Sequence, residues 1–362
     1  MKKLILNSLF CLSVLIFFSC KQEISPSPLK FKVYKNNPVL VAGEPGSWDD
    51  LIVFLPCVIR DRETFYLFYS GMSKNGKTSI GLATSPDGYH FTRFAGNPVF
   101  TPDSNGFDAF SVAQAIVVKG DSGWVMYYNS AETAEWGPGP FIGRATAAEL
   151  TGPWKRGKKP VLTHGGAGEW DNDFVIPCSI LRLDNGSYYM YYSGGAQFTI
   201  LGDYYTGMAF SKDGITWQKH NDVATREHPF AESDPVMMTG KPDDWDGMVV
   251  WGGPVFKVPG GFEIYYQGGT RPLENPHIRQ VGNIGYATSN DGAHWAKYPG
   301  NPVYGVKNDP FVLSVPEGEA TIECPSIVFR DSICFMYYDY GPSLFNIGLA
   351  TAFVNLTHPR VH

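Results

Sequence analysis

The sequence predicts an all-β protein made of five copies of one unit, and two observations support this. A strand ending in two aromatic residues recurs along the chain, with the second aromatic at Tyr69, Tyr128, Tyr192, Tyr266 and Tyr338. The segments between these doublets are β-rich, are divided by Gly, Asp and Asn turns, and show no long helical period. Four antiparallel strands per repeat are typical of a β-propeller, so the prediction is a five-bladed propeller.

Each unit repeats the same order of elements. A Trp-Asp or Phe-Asp pair precedes an apolar strand around a proline, as in "FLPCVI" and "VIPCSI". The aromatic-doublet strand follows, and then come "IGLATS" or a variant, a turn, a short strand and "NPV". In "SPDG", "SKDG" and "SNDG" the Asp caps its own turn and the Gly tolerates positive φ. These segments are therefore predicted to be structural hairpins between the third and fourth strands.

The two ends of the chain complement each other. The fifth unit stops after "NIGLATAFVNL" without a fourth strand, whereas "LKFKVYKNNPVL" near the N-terminus has the missing pattern. We expect the segment from Phe31 to Tyr34 to pair with the last unit. Such pairing closes the ring and hides two sheet edges.

The N-terminal residues have the features of an export signal. Lys2 and Lys3 precede an apolar run from Leu4 to Phe18 that is short for a membrane span, and "FFSC" resembles a lipobox. We predict a signal peptide over 1–19, a lipidated tether over 20–29 with Cys20 acylated, and a single propeller domain over 30–362. The expected location is the cell envelope, with a lipid anchor in the membrane. The alternative is an ordinary cleaved signal in which Cys20 is incidental.

Composition narrows the partners. The net charge of −6 and the lack of a Lys/Arg cluster argue against a nucleic-acid partner. Aromatic residues make up 15% of the chain, which suits an oligosaccharide ligand because sugar faces pack on aromatic rings.

Cys57 and Cys178 are predicted to be buried core residues, and a Cys324–Cys334 disulfide is left open. The predicted protein has no cofactor and no metal. Its oligomeric state is left open.

The repeated order of sequence motifs resembles that of five-bladed β-propeller glycosidases, the broad group of glycoside hydrolase families 43, 32, 117 and 130. This resemblance covers roughly Phe31 to Ala352 and implies a funnel on the propeller axis, lined by the first strand of each blade. Two or three carboxylates there would act as acid and as base or nucleophile. In family 43 an Asp directly precedes the first-blade proline, but here Leu55 precedes Pro56, so that nucleophile does not carry over.

Three carboxylates are the predicted catalytic residues. Glu323 stands two residues before Pro325, where the other proline-containing units have Phe54, Val175 and Gly252, and an apolar funnel would suit it as general acid. Asp50 is the expected base or nucleophile and Asp173 an orienting carboxylate, because both break the Trp-Asp repeat. The repeated Asp49, Asp171 and Asp246 are expected to be structural. The alternative for Glu323 is a carboxylate satisfied by nearby backbone.

The predicted substrate-binding residues are Asp108, Trp136, Trp251, Gln267, Arg271 and His277. Together these assignments predict a glycoside hydrolase that removes a terminal sugar from an oligosaccharide. A glycoside phosphorylase and a non-catalytic glycan-binding lipoprotein are the alternatives.

Overall fold

The computed structural model describes residues 27–74, 76–134, 139–196, 203–270, 281–313, 321–341 and 345–354. Within these ranges the secondary structure is almost entirely β, with a 3-10 turn at Val306–Asn308 and a short helix at Pro310–Leu313. None of the helical structure described is long and apolar enough to cross a membrane. The predicted all-β class is confirmed.

The strands follow the predicted repeat. An N-terminal strand β1 spans Lys32–Val33. Unit 1 contains β2 (Ile52–Asp61), β3 (Thr64–Met72), β4 (Thr78–Ser85) and β5 (Thr92–Arg93). Unit 2 contains β6 (Ser111–Gly120), β7 (Gly123–Ala131), β8 (Phe141–Ala147), β9 (Lys155–Arg156) and β10 (Leu162–Thr163). Unit 3 contains β11 (Phe174–Arg182), β12 (Tyr188–Gly195), β13 (Tyr204–Ser211), β14 (Gln218–Lys219) and β15 (Pro235–Met237).

Units 4 and 5 continue this order. Unit 4 contains β16 (Val249–Trp251), β17 (Val255–Val258), β18 (Gly261–Thr270), β19 (Val281–Ser289), β20 (Trp295–Lys297) and β21 (Tyr304–Gly305). Unit 5 contains β22 (Ile322–Arg330), β23 (Ile333–Tyr340) and β24 (Asn346–Phe353). The strands of each unit pair in antiparallel fashion, and one parallel pairing, Tyr204 with Val249, joins units 3 and 4 into a single sheet.

The N-terminal segment completes unit 5, as the sequence predicts. β1 pairs with β24 through Lys32 with Thr351 and Val33 with Ala350. Asn37, from the N-terminal "NPV", accepts a hydrogen bond from the backbone N–H of Leu349 and donates to the hydroxyl of Tyr338. Asn97 and Asn301 make the same contacts inside units 1 and 4. The asparagine of each "NPV" is thus a structural residue.

The repeated aspartates form a set of buried clusters. In every unit an Asp accepts a hydrogen bond from the hydroxyl of the second doublet tyrosine, and these aspartates are Asp49, Asp108, Asp171, Asp246 and Asp309. In units 1 to 4 a cation from the fourth strand joins the Asp, namely Arg93, Arg156, Lys219 and Lys297. These contacts agree with the structural role predicted for Asp49, Asp171 and Asp246, which stays a prediction.

The Asp-Gly hairpins also have the predicted geometry. Gly88, Gly214 and Gly292 have positive φ angles of 81°, 68° and 85°. In the second hairpin Asp213 accepts hydrogen bonds from the backbone N–H groups of Ile215 and Thr216. Chiefly because of these two bonds, the pKa of Asp213 is lowered to about 2.

One set of hydrogen bonds between units involves a repeated position, the residue directly after each aromatic doublet, which we call the linking position. Its occupants are Ser70, Asn129, Ser193, Gln267 and Asp339. Each bonds the first strand of the following unit, through Gln114 N, Val175 O, Gly252 N, Cys324 N and Leu55 N respectively. The last of these bonds runs from unit 5 back to unit 1.

The first strands surround a cavity of about 300 Å³. All five units contribute to its lining, and one residue from each is Val58, Gln114, Cys178, Phe256 and Ile327. Cys57, Cys178, Cys324 and Cys334 are buried and form no disulfide, so the Cys324–Cys334 disulfide left open by the sequence is absent. The burial predicted for Cys57 and Cys178 is confirmed.

Candidate active site

The candidate site centres on the residue that pairs across the sheet with each linking position, which we call the facing position. Its occupants are Phe54, Ala113, Ile176, Trp251 and Glu323. Glu323 is thus the carboxylate at a position that is apolar or aromatic in the other four units. Alignment on the prolines named Val175 and Gly252 as its equivalents, which is wrong by one residue. The β-bulges lie at different distances from the proline in different units, so only the pairing register gives the true correspondence.

Glu323 has a defined hydrogen-bonding environment. The hydroxyl of Thr321 donates to Glu323 Oε1 at 2.5 Å. The same hydroxyl accepts the backbone N–H of Gly282 at 3.1 Å, so β19 fixes the donor. A Cβ at position 282 would lie 3.0 Å from Glu323 Cγ, which means that the glycine makes room for this side chain. Glu323 itself is only partly buried.

Sequence reasoning missed Asp339, which pairs directly with Glu323 across β22 and β23. Its side chain is 2% exposed, and both of its oxygens accept the backbone N–H of Leu55, at 2.8 and 2.9 Å. The available signal was the polar residue after each doublet, which is Ser, Asn, Ser and Gln before it becomes Asp. The variety of these residues hid their common position.

Gln267 and Cys324 lie beside the two carboxylates. Gln267 Oε1 accepts the backbone N–H of Cys324 at 3.2 Å. The pKa of the Cys324 thiol is raised well above its ordinary value, first by burial and then by the charges of Asp339 and Glu323. The predicted site residues Glu323 and Gln267 are thus brought together on units 4 and 5.

Trp251 brings an aromatic surface to the same level of the structure. It pairs with Gln267 across β16 and β18. Its ring stacks on Phe174 with centroids 5.8 Å apart, and Tyr204 meets it edge-on at 6.2 Å. Aromatic faces beside polar groups are the usual means of holding a sugar ring.

Asp50 and Asp173 lie at the entries of their units. Asp50 accepts backbone N–H bonds from Gly46 and from Lys74, at 2.8 and 3.0 Å. These bonds, with that of Gly46 first, hold the pKa of Asp50 below its ordinary value. Asp173 is partly exposed, immediately precedes β11, and donates its backbone N–H to the carbonyl of Gly195. Their catalytic roles stay predictions.

The other predicted site residues fall into two groups. Asp108 is fully buried and contacts Tyr128 and Arg156, as the equivalent aspartates do in other units. Its role in substrate binding stays a prediction, and the site proposed below does not use it. Trp136, Arg271, His277 and the acylation candidate Cys20 lie outside the described residues.

Known structures show the same fold. A glycosyl hydrolase from Bacteroides ovatus is 20% identical, with a TM-score of 0.69 covering 89% of this chain and 93% of its own. A structure described under "The GH130 family of mannoside phosphorylases contains glycoside hydrolases that target beta-1,2 mannosidic linkages in Candida mannan" is 19% identical, with a TM-score of 0.70 over 91% and 97%. The beta-1,2-mannobiose phosphorylase from Listeria innocua is 16% identical, with a TM-score of 0.63 over 90% and 97%.

Sequence comparison gives the family. An uncharacterized protein of Mycobacterium tuberculosis (strain ATCC 25618 / H37Rv) is 26% identical over 240 residues, or 64% of this chain and 72% of that protein. Residues 49–281 match the family profile described as beta-1,4-mannooligosaccharide phosphorylase. Glu323 and Asp339 lie beyond the matched segment, in the unit whose fourth strand comes from the N-terminus. Since the match spans more than half of the chain, this protein belongs to glycoside hydrolase family 130.

Proposed function

We propose that this protein is a glycoside hydrolase that removes a terminal sugar from a β-mannosidic oligosaccharide, with Glu323 as the proton donor. One observation carries the proposal: Glu323 is a carboxylate at a facing position that holds Phe54, Ala113, Ile176 or Trp251 in the other units. Family membership supports the substrate class, since proteins of this fold and family act on β-mannosidic linkages.

Cleavage of a glycosidic bond requires two catalytic groups near that bond, a proton donor and a base or nucleophile. Glu323 would protonate the leaving oxygen, with the Thr321 hydroxyl holding its carboxylate in place. A second carboxylate must activate the incoming nucleophile or attack the sugar directly. Asp173 and Asp50 are the candidates for that role. Asp339 is too deeply buried to reach a water on the far side of a sugar ring.

A phosphorylase is the second candidate, because the matching family profile is described as a phosphorylase. In that reaction inorganic phosphate replaces water and a sugar phosphate is formed. Incubation of mannooligosaccharides with and without phosphate, followed by product analysis, separates the two. Free mannose without phosphate supports the hydrolase, and product formation that requires phosphate supports the phosphorylase.

Replacement of Glu323 tests the proposed proton donor. Proton donation contributes about 10²–10⁴-fold to such reactions, so Glu323→Gln should reduce turnover of a natural glycan by about that factor. The loss should be smaller for aryl glycosides with good leaving groups, which need little protonation. Asp50→Asn and Asp173→Asn are the comparison variants. If Glu323→Gln keeps full activity while one of these abolishes it, the proton donor has been assigned to the wrong unit.

A binding protein without catalysis is the remaining alternative. It predicts that the wild-type chain turns over no glycan, with or without phosphate, yet binds one in calorimetric titration. Such a result would refute the enzymatic proposal for both nucleophiles.

We also propose that the five units are the blades of a closed propeller. The support is the set of linking-position hydrogen bonds, in which each unit bonds the next and unit 5 bonds unit 1. A cavity lined by residues of all five units is what a propeller axis would produce. The proposed catalytic residue would then lie near that axis.

A lipid anchor at Cys20 would place the enzyme at the cell envelope, where it would meet exported or imported oligosaccharides. The support is the sequence around "FFSC" followed by a polar Ser/Pro segment. Cys20→Ser should move the protein from the membrane to the soluble fraction. Continued membrane partitioning of that variant would rule out acylation as the anchor.

A further inference from the structure

The cavity between the first strands has a mainly apolar lining. Its volume is about 300 Å³, which is at the lower end of the range for pockets that hold small organic ligands. Val58, Ile116, Phe256 and Ile327 are among the side chains that line it. Because apolar surface of this kind favours an alkyl chain over water, the lining suits the apolar part of a small molecule.

One end of the cavity presents a hydrogen-bond acceptor. Gln114 lines the cavity near the start of β6 and is only 5% exposed. Its backbone N–H donates to Ser70 at 2.9 Å, but its side-chain Oε1 is buried and has no hydrogen-bond partner among the described residues. A buried carbonyl oxygen without a donor costs free energy, so this atom would gain from a ligand that donates.

The other end of the cavity presents cations. Among the described residues that line the cavity, the charged ones are Arg60 and Lys119. They occupy the same position in units 1 and 2, since they pair with Phe65 and Trp124, each four residues before the second doublet aromatic. Lys119 follows Gln114 by five residues, which is about 16 Å along a strand. The acceptor and the cations therefore lie at opposite ends of an apolar space.

Both cations can still bind an anion. Arg60 donates to Glu63 at 3.1 Å through Nη2, whereas its Nε is buried and has no hydrogen-bond partner in the described part of the chain. The Glu63 side chain is 78% exposed, and ion pairs at such positions contribute little. Lys119 Nζ lies 4.4 Å from the centre of the Trp124 ring, and the described residues give it no ion pair. A carboxylate at this end would provide both cations with an acceptor.

The same position is cationic in units 3 and 4, but there each cation has an acidic partner. Arg182 forms an ion pair with Asp121 at 2.8 Å, and Lys257 contacts Asp184. Neither cation is among the described residues that line the cavity. The cations of units 1 and 2 are therefore the ones directed to a ligand in the cavity.

We propose that this cavity binds an ω-hydroxycarboxylate, a chain molecule with a carboxylate at one end and a hydroxyl at the other. The carboxylate accepts hydrogen bonds from Arg60 Nε and Lys119 Nζ, and such charge-assisted bonds are strong. The alkyl chain packs on the apolar lining, and the terminal hydroxyl donates to Gln114 Oε1. The proposal does not depend on the reaction proposed for Glu323.

Calorimetric titration of the wild-type protein tests the proposal with 6-hydroxyhexanoate, 8-hydroxyoctanoate and 10-hydroxydecanoate, each below its micelle-forming concentration. At the length that binds best, the plain acid lacks the hydroxyl and the methyl ester lacks the charge. We expect the hydroxy acid to bind about 3- to 10-fold more tightly than the plain acid, and about 10- to 100-fold more tightly than the ester. Failure of all three hydroxy acids to bind would overturn the proposal. Equal affinity for the hydroxy acid and the plain acid would overturn it too, because water would then serve Gln114 equally well.

Two variants assign the ends of the ligand. Gln114→Met removes the acceptor at similar length, so the preference for the hydroxy acid over the plain acid should disappear. Arg60→Met should weaken binding of the acids about 10-fold and leave the affinity for the ester unchanged. Arg182→Met is the matched control, because it removes a cation at the same position outside the cavity lining.

The variants also show how the proposal would fail. If Arg182→Met weakens binding of the acids as much as Arg60→Met does, the carboxylate does not bind at this end of the cavity. A preference for the hydroxy acid that persists in Gln114→Met places the hydroxyl elsewhere. If Gln114→Met does not fold, the wild-type comparison of hydroxy acid with plain acid decides alone.

Discussion

At the residue scale, the hydroxyl of Thr321 holds one oxygen of the Glu323 carboxylate. Thr321 is fully buried, donates to Glu323 at 2.5 Å and accepts from the Gly282 N–H at 3.1 Å. A hydroxyl can do both at once, whereas an apolar side chain of the same shape does neither. Thr321 therefore helps to orient Glu323, the proposed proton donor, and links β19 to β22.

Thr321→Val should separate orientation from charge. A displacement of about 1 Å can cost about 10²-fold in rate, so we expect turnover to fall about 10- to 100-fold. The free energy of unfolding should fall by about 1–3 kcal/mol, because the Gly282 N–H loses its partner. Thr321→Ser keeps the hydroxyl and should retain most of the activity. Equal turnover in the two variants, measured by steady-state kinetics, would contradict this role.

Glu323 could be selected from the sequence, but two of the residues aligned with it in other units were not its true equivalents. Its position two residues before Pro325 predicted a carboxylate on the first strand of its unit, and Glu323 does lie in β22. The comparison with Val175 and Gly252 was wrong because bulges shift the register between units. Asp339 escaped notice because the residue after a doublet has no fixed chemistry, and only cross-strand pairing shows that it opposes Glu323.

At the scale of the element, the buried Asp clusters explain why the Trp-Asp pair recurs. Asp246 accepts from Tyr266 at 3.1 Å and from Lys297 at 2.7 Å, which ties the entry of unit 4 to its second and fourth strands. Burial first, and then the Asp246 charge, raise the pKa of the Tyr266 hydroxyl, which therefore remains a donor. The cluster therefore holds the segment before β16 against β18 and β20.

Asp246→Asn should therefore reduce stability and spare catalysis. The amide can still accept from Tyr266, but the ion pair with Lys297 is lost, so we expect a loss of about 2–4 kcal/mol in the free energy of unfolding. Urea denaturation gives this quantity, and turnover at 25 °C should remain near that of the wild type. A large loss of turnover in a folded variant would give Asp246 a role in the site.

Among the described residues, the Asp309 cluster of unit 5 contains no cation like those of the other four clusters. Val33 pairs with Ala350 where Arg93 pairs with Ala83 in unit 1, and the described residues provide no ion pair to the buried Asp309. Tyr338 donates to Asp309 at 2.5 Å, and Tyr304 contacts Tyr338 at 3.0 Å. In the described part of unit 5, the contacts of Asp309 are therefore hydrogen bonds without an ion pair.

Val33→Lys should supply the missing partner. By analogy with Lys219 and Asp171, we expect the free energy of unfolding to rise by about 1 kcal/mol at low salt and by less at high salt. Val33→Met, which is similar in length but uncharged, is the control in urea denaturation. If lysine is no better than methionine at either salt concentration, the cluster gains nothing from a cation here.

At the scale of the whole molecule, the repeated strand order could be predicted from the sequence because its residues have strong local conformational preferences. Aromatic doublets, Asp-Gly turns and the "NPV" segments predicted the strand order and the pairing of β1 with β24. The linking-position hydrogen bonds between units could not be predicted. Different side chains form them, as the hydroxyl of Ser70, the amide of Asn129 and the carboxylate of Asp339 show. Asp50 illustrates the same limit for the site, since its two backbone bonds depend on a loop conformation that its sequence does not fix.

The N-terminal strand should therefore be essential to the stability of the whole domain. Phe31 belongs to the core of units 4 and 5, where its ring lies 5.7 Å from Tyr265 and 6.2 Å from Tyr304. Leu29 donates its backbone N–H to the Tyr265 hydroxyl at 2.9 Å. Deletion of residues 29–36 would remove these contacts and expose the edge of β24.

We expect that deletion to lower the melting temperature sharply. Loss of a buried phenylalanine alone costs about 3–5 kcal/mol, and the lost pairing of β1 adds to it. Phe31→Ala should reproduce much of the effect without shortening the chain, whereas Lys32→Ala, on the exposed side of the same strand, should change little. Differential scanning calorimetry compares the three variants with the wild type. A deleted chain that melts at the wild-type temperature would show that the pairing of β1 with β24 does not stabilise the domain.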